Sequence, residues 1–467
     1  MNESPDNLTS RRDFIKNTGK LAAASALAGV ALPHVHAADD HTIRVALIGC
    51  GGRGGGAAAN ALAVKSCPTK LVAMADVFEQ RLKTSYETLK RHSADQVEVS
   101  DDSKYIGFDA YKKAMDALRP GDIAILTTPP AFRWVHFTYA IQKGLNVFME
   151  KPVTVDGPTS RRMFKLAEEA SAKNLKVGVG LMSRHSRALQ ELHQRVQDGE
   201  IGDVILLRGY RMHGPVGSAF SEKWPGEPSE LLWQIQRFHS FLWASGGCYS
   251  DFYIHHIDHL CWMKNAWPVK AQAVGARHYR GNSVDQNFDN YSVEYTFADG
   301  AKFIMNGRCN VGCEPRYYSL VHGSKAMAVT STNGDCGLPA AIYKGHVGGP
   351  EYKGQNPQRS DLLWESKIST DQRDPYQNEW NTLIDAIRKD QPYNEVKRGV
   401  EASLVTSLGR MAAHTGQEVT YEGILSSDHE FAPGLDKLTM DSPAPLKAGP
   451  DGKYPVPQPG IVKDREY

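Results

Sequence analysis

The sequence predicts an α/β protein in two halves: a doubly wound parallel sheet first, then a mostly antiparallel sheet. Three observations predict it. A β-branched run, Ile43 to Ile48, passes directly into Gly49-Cys50-Gly51-Gly52-Arg53-Gly54 and then into an alanine-rich stretch. From there to about Gly180, apolar runs alternate with helix-competent segments. Beyond Asp203, strands follow one another across short turns such as Asp299-Gly300 and Gly323-Ser324.

The N-terminus reads as a leader. Ser10-Arg11-Arg12-Asp13-Phe14-Ile15-Lys16 matches a twin-arginine export signal. A weakly apolar stretch from Leu21 to Leu32 is too short to span a bilayer, and Val35-His36-Ala37 offers a small-residue cleavage site. Residues 1–37 are therefore expected to be a signal peptide, the twin-arginine machinery a partner and the periplasm the destination. An ordinary amphipathic first helix is the competing reading. No cysteine stands at the cleavage site, so no stable membrane anchor is expected. The seven scattered cysteines do not form a disulfide framework and fit folding in a reducing compartment before export. A net charge of +1, without any basic block, argues against nucleic acid as a partner.

Residues 41–180 make the first domain, its core reaching about residue 152. A strand before and a helix after give the G-x-G-x-x-G pattern its meaning. Gly49, Gly51, Gly52, Arg53 and Gly54 form a tight turn that lets a pyrophosphate approach backbone N–H groups at a helix N-terminus, the Rossmann fingerprint. The second strand, Leu71 to Ala75, ends in Asp76, a little beyond the usual ~20-residue offset. A carboxylate there accepts from a ribose 2′-OH and repels a 2′-phosphate, favouring NAD, while nearby Arg81 softens the preference and keeps NADP possible. Asp76 also reads as a helix N-cap.

The strand Asp122 to Thr127 ends at Thr128-Pro129-Pro130, and a helix from Phe132 to Lys143 stops at Gly144. Asn146 to Met149 then runs into Glu150-Lys151-Pro152. A lysine at the carboxyl end of a parallel strand faces the crevice where such sheets bind ligands, and the proline turns the chain out of the sheet. A helix from Pro158 to Lys173 and a strand from Lys176 to Gly180 extend the unit.

Residues 181–430 make the second domain. Its strands are expected at Val204 to Tyr210, Val269 to Val274, Tyr291 to Phe297, Ala301 to Asn306, Tyr317 to His322 and Lys325 to Val329. Between the first two lies Gly246-Gly247, followed by a helix on which Asp251, His255 and either Asp258 or His259 share a face. A carboxylate beside a histidine orients the ring and suits it to act as a general base. Histidines at these spacings also suit a metal, but no distant third ligand presents itself, so none is assigned; a core-satisfied helix face is the third reading, with His256 a bystander. The segment 211–245 carries Trp224, Trp233, Phe238, Phe241 and Trp243, read either as a sugar-stacking wall beside the pocket or as a packed loop or oligomer contact. Residues 431–467 form a proline-rich tail, expected to be extended: disordered, or laid across a neighbouring subunit.

Taken in order, the glycine loop with Asp76, Thr128-Pro129-Pro130, Glu150-Lys151-Pro152, and Gly246-Gly247 with Asp251 and His255 resemble the glucose–fructose oxidoreductase/inositol dehydrogenase/rhizopine-catabolism (Gfo/Idh/MocA) family from Ile43 to Leu425. The stretch Tyr376 to Ile387 and Gly409-Arg410-Met411 belong to the same resemblance. It implies an NAD(P)-dependent oxidoreductase acting on a sugar, polyol or sugar derivative by hydride transfer. Lys151, Asp251 and His255 would be catalytic, with Thr128, Pro129, Glu150 and Lys151 joining the glycine loop at the cofactor. It also implies that the second half is an α/β domain with a large, mostly antiparallel open sheet, that the chain forms a homo-oligomer through this C-terminal sheet and, for an exported member, that the cofactor is tightly bound. A glycosidase working through transient oxidation and a non-catalytic sugar-binding protein are the alternatives.

Overall fold

The computed structural model describes residues 42–278, 281–331, 334–336, 339–346 and 359–467. The twin-arginine segment and its cleavage site lie outside the described residues. The first sheet holds β1 (Ile43–Ile48), β2 (Thr69–Asp76), β3 (Lys104–Ile106), β4 (Ile123–Leu126), β5 (Asn146–Met149) and β6 (Val177–Val179), ordered β3-β2-β1-β4-β5-β6. All five pairings are parallel. The order reverses between β1 and β4, which opens a crevice at the carboxyl ends of the strands. β4 and β5 are buried along their whole length, as continuous apolar runs covered on both faces should be.

The helices of this unit are α1 (Gly52–Leu62), α2 (Glu79–His92), α3 (Ala110–Asp116), α4 (Arg133–Gln142) and α5 (Gly157–Ala172). α2, β3 and α3 were not expected from the sequence. α2 is charged throughout and buries only Leu82, Ser85 and Leu89, so its apolar stripe is thin. β3 is three residues long and has no fully buried position.

The chain continues through α6 (Arg187–Gln197), β7 (Val204–His213), α7 (Glu230–Gln236), α8 (Leu242–Ser245) and α9 (Gly247–Lys264). Then come β8 (Lys270–Ala276), β9 (Asn290–Thr296), β10 (Lys302–Cys309), β11 (Arg316–Gly323), β12 (Ala326–Ser331), β13 (Ala341–Lys344) and β14 (Leu362–Glu365). α10 (Pro375–Arg388), α11 (Val396–Thr415), β15 (Val419–Thr420) and α12 (Tyr421–Ser426) follow. The second sheet is ordered β14-β13-β12-β11-β7-β10-β9-β8-β15 and is antiparallel except where β7 meets β10. β9 and β10 alternate buried and half-buried positions, the pattern of a sheet with one covered face. α9 and α11 cover it. No helix among the described residues is long and apolar enough to cross a membrane.

Two segments depart from their order in the sequence. α10 packs against the first sheet, not the second: Trp380 stacks on Phe148 of β5 with centroids 4.5 Å apart. Residues 431–467 contain neither strand nor α-helix, as expected, but rest on their own chain. Tyr454 lies edge-on to Phe241 at 5.0 Å, and Gln234 and Gln286 donate to the carbonyls of Leu446 and Pro455. Prolines bar regular structure without barring burial, and Ala444, Leu446 and Tyr454 are apolar enough to be drawn in.

Near the end of the tail, Glu466 meets a fully buried guanidinium, Arg410, and a fully buried imidazole, His414, both on α11. Arg410 donates to its carboxylate at 2.9 Å, and His414 Nδ1 lies 2.6 Å from it. Burial alone would raise the Glu466 carboxyl, but Arg410 and His414 outweigh it and hold it down at about 2. With the folded value below the unfolded one, the stabilisation is full above about pH 4.5 and is lost as pH falls toward 2, amounting to about 3 kcal/mol. Glu466→Ala is expected to cost about 3–5 kcal/mol by stranding the buried Arg410 charge. Urea melts at pH 7 and pH 3 check both: wild type should lose more stability on acidification than Glu466→Gln, and equal losses would contradict the assignment.

Candidate active site

A cleft of about 980 Å³ runs along the carboxyl ends of the first sheet and on to α9. At one end stands the glycine loop. Gly49 has φ +95°, and a Cβ there would lie 2.7 Å from Thr128 N; a Cβ on Gly54 would lie 2.0 Å from Gly49 O. Only glycine therefore lets the loop, β4 and α1 close together. By contrast, a Cβ on Gly51 or Gly52 would meet nothing within 4 Å, so the N-terminus of α1 opens freely onto the cleft. No acidic side chain occupies its first turn. This open cradle of backbone N–H groups is what a pyrophosphate needs.

Asp76 ends β2 beside the loop. Its carboxylate accepts from Cys50 N at 2.6 Å and Phe78 N at 2.9 Å, so it tethers the glycine loop to β2 and is not the N-cap of α2, which is Phe78. Arg81 lines the same stretch, its guanidinium 4.7 Å over the Phe78 ring and one Nη donating to Gln236 O. Arg53 turns to Glu150, Nε to Oε1 at 2.6 Å, and lies 4.8 Å over Tyr376 of α10. Thr128 and Pro129 form the wall between the halves of the sheet, with Thr128 Oγ1 3.2 Å from His136 Nδ1. Open cradle, acid at the end of β2 and cleft size all fit a dinucleotide. The loop and Thr128 would face its pyrophosphate, Asp76 its ribose, and Lys151 its reactive ring.

At the other end α9 is buried on every side. Its start is fixed by Gly246 and Gly247, both with positive φ; a Cβ on Gly246 would lie 2.5 Å from Arg410 Nη1. Lys151 Nζ donates to Asp251 O at 2.7 Å and lies 3.7 Å from Asp251 Oδ2. His239 Nε2 lies 3.3 Å from that same oxygen. Burial opposes the Asp251 charge, but Lys151 and His239 outweigh it and hold the carboxyl at about 2. His255 lines the cleft one turn further on. Burial, aided by Lys151 and resisted by Asp335, lowers it to about 4, so the ring is neutral at pH 7. His255 Nδ1 is sealed without a hydrogen-bond partner, which leaves Nε2 as the nitrogen a ligand reaches.

Asp258, His256 and His259 of α9 do not line the cleft. Arg184 donates to Asp258 at 2.7 Å, His259 Nε2 meets Ser319 Oγ at 2.8 Å, and buried His256 faces Asp335 at 3.4 Å. Among the described residues no group of three or more His, Cys, Asp or Glu side chains is arranged to hold a metal ion.

The aromatic segment divides. Trp233, Phe241 and Trp243 are buried in the core, and Trp224 donates to Pro228 O at the surface; Phe238 alone of the five lines the cleft. Of the two readings, packing accounts for most of the segment: Trp233 and Phe241 are buried with ring contacts to Tyr454 of the tail, and Trp243 is buried against Phe132. Three contributions escaped the sequence reading: His239 in the same segment, Tyr376 on α10, and Leu435, Asp436 and Leu438 of the tail on the outer wall. None carries a periodic or spaced signal; each reaches the cleft through irregular chain or a distant helix.

Residues 43–181 match a family model described as the oxidoreductase family, NAD-binding Rossmann fold, and residues 189–329 match the GFO/IDH/MocA C-terminal domain. Inositol 2-dehydrogenase of Corynebacterium glutamicum is 27% identical over 118 residues, which cover 25% of this chain and 34% of that protein. The NAD(+)-dependent scyllo-inositol 2-dehydrogenase of Bacillus subtilis is 27% identical over 223 residues, 47% of this chain and 53% of the relative. The chain thus spans about a third to a half of the length of these relatives. The fold is similar to the crystal structure of myo-inositol 2-dehydrogenase from Lactobacillus plantarum, with TM-score 0.57 and 20% identity over 81% of this chain and 99% of that one.

Gly54→Val is expected to drive Gly49 and Thr127 aside and abolish dinucleotide binding while leaving the second sheet intact. Quenching of NADH fluorescence checks it; wild-type affinity in this variant would mean that the cradle is not the cofactor site.

Proposed function

The chain belongs to the Gfo/Idh/MocA family of NAD-binding oxidoreductases, and from that premise we propose that it oxidises a carbinol carbon of a polyol or sugar by hydride transfer. One observation carries this reading. Lys151, Asp251 and neutral His255 line the same continuous cleft as the glycine cradle and Asp76. NAD, when bound, supplies the hydride acceptor. His255 Nε2 takes the hydroxyl proton as the carbon–oxygen bond becomes a carbonyl. Lys151 Nζ hydrogen-bonds that oxygen and offsets the negative charge that develops on it. Asp251 accepts from a substrate hydroxyl and holds the sugar in register. The carboxylate of Asp76 supports NAD over NADP.

The twin-arginine pattern at Ser10 to Lys16 supports export of the folded protein to the periplasm. Free NAD is not expected to be recycled there, so the cofactor stays through the cycle, reduced by one substrate and reoxidised by another. The tail residues on the outer wall of the cleft support retention. A homo-oligomer through the open face of the nine-stranded sheet is supported by the exposed Ile205 and Val274.

Three experiments test this reading. Protein recovered from the periplasm of a twin-arginine-competent host should release NAD on denaturation and show reduced-nicotinamide absorbance with one of myo-inositol, scyllo-inositol or glucose; empty protein active only with added NAD would contradict retention. Lys151→Ala and His255→Ala should each lower kcat/KM by about 10²–10⁴-fold, and wild-type turnover in both would sink the assignment. Because His255 must be neutral to act and its value is lowered to about 4, kcat/KM for oxidation should hold level from pH 7 to about pH 5 and fall only nearer 4. A decline already centred on pH 6.5 would count against it.

A further inference from the structure

We infer that His239, in the short turn between α7 and α8, is a positioning residue of the reaction: it orients Asp251 through a single tautomer and leaves one carboxylate oxygen for the substrate. The inference rests on the proposed carbinol oxidation and adds to it a residue outside the Lys151–Asp251–His255 set.

Two independent bonds determine the ring's protonation. Ser218 N–H donates to His239 Nδ1 at 3.3 Å, and Ser218 Oγ lies 3.0 Å from the same nitrogen. A backbone N–H can only donate, so Nδ1 carries the lone pair and the proton sits on Nε2. Nε2 in turn lies 3.3 Å from Asp251 Oδ2, and an ionised carboxylate can only accept. Both ends of the ring require the same tautomer, Nε2–H.

The seat of the ring is built for it. Gly217 has φ +55°, and a Cβ there would lie 2.8 Å from His239 Cε1, so the turn beneath the imidazole admits no side chain. Phe238 and Phe252 flank the ring, with centroids at 3.8 and 5.2 Å. Asn287 Nδ2 donates to His239 O at 2.8 Å and fixes the backbone. Only 16% of the side chain is exposed, and that part faces the cleft.

The consequence falls on Asp251. Lys151 Nζ and His239 Nε2 both approach Oδ2, at 3.7 and 3.3 Å. Among the described residues no hydrogen bond reaches Oδ1, so Oδ1 is the oxygen that takes a substrate hydroxyl. The attraction of Lys151 and His239 for Oδ2 favours one orientation of the carboxylate as the neighbouring hydroxyl loses its proton.

The test needs no substrate at its first step. In protein labelled with 15N-histidine, long-range proton–nitrogen spectra, with the His239 signals assigned by their loss in His239→Gln, should show protonated Nε2 and bare Nδ1. An Nδ1–H tautomer overturns the inference. With the first polyol of the panel myo-inositol, scyllo-inositol and glucose that reduces the cofactor, His239→Leu should lower kcat by about ten- to a hundredfold, the worth of one charge-assisted hydrogen bond. NADH affinity and melting temperature should hold, and His239→Gln, which keeps a donor near the Nε2 position, should recover most of the loss. Wild-type kcat in His239→Leu alongside loss in His255→Ala overturns this inference alone. If no polyol of the panel is oxidised, or Lys151→Ala and His255→Ala keep full turnover, the proposed function falls instead, and the tautomer spectrum still decides the state of His239.

Discussion

The guanidinium of Arg410 is the bond on which the site depends. It is fully buried on α11 and reaches three separate parts of the chain. One Nη donates to Ser250 Oγ at 2.6 Å and Gly246 O at 3.2 Å, fixing the start of α9. The other donates to Val155 O at 2.9 Å, in the loop that leaves Lys151. Nε and Nη2 bind Glu466 near the end of the tail. A buried guanidinium with unfilled donors would cost several kcal/mol, so each partner is held as firmly as the charge is sealed. Lys151 comes from one sheet and Asp251 and His255 from a helix of the other domain, and this cation ties the two supports together.

The same rule governs α9. A helix buried on all sides usually carries apolar residues throughout, yet this one carries two aspartates, three histidines and two tyrosines. Each aspartate is matched: Asp251 with Lys151 and His239, Asp258 with Arg184. Tyr249 meets Tyr295, and His259 meets Ser319. All three histidines are kept neutral by burial, the state a proton acceptor requires, and His255 differs in that it alone of the three lines the cleft.

The tail and α10 show how remote chain completes a site. α10 brings Tyr376 beneath Arg53 and anchors through Trp380 on Phe148, stiffening the glycine loop from behind. The tail runs from the outer wall of the cleft at Leu435 to the Arg410 pocket at Glu466. The part of the tail that lines the cleft is thus continuous with chain held at its far end by a buried ion pair.

Sequence alone determined the elements whose chemistry is local. The glycine loop, the strands β1, β2, β4 and β5, the strand-end Lys151, and the Asp251/His255 spacing on α9 follow from periodicity, turn residues and the need for glycine where backbone approaches backbone. It also carried the change from parallel to mostly antiparallel pairing, because short turns between successive strands permit little else. Elements with thin apolar faces, such as α2 and β3, left no pattern to read. Only the tertiary structure decided which polar groups meet. That His239 rather than Asp258 or His259 joins Asp251, that Arg53 pairs with Glu150, that the aromatic segment is mostly core, and that the tail folds onto its own chain are all matters of contact between distant segments. Such contacts are chosen by the cost of leaving a buried charge or donor unpaired, and that cost exists only once the chain has closed around it.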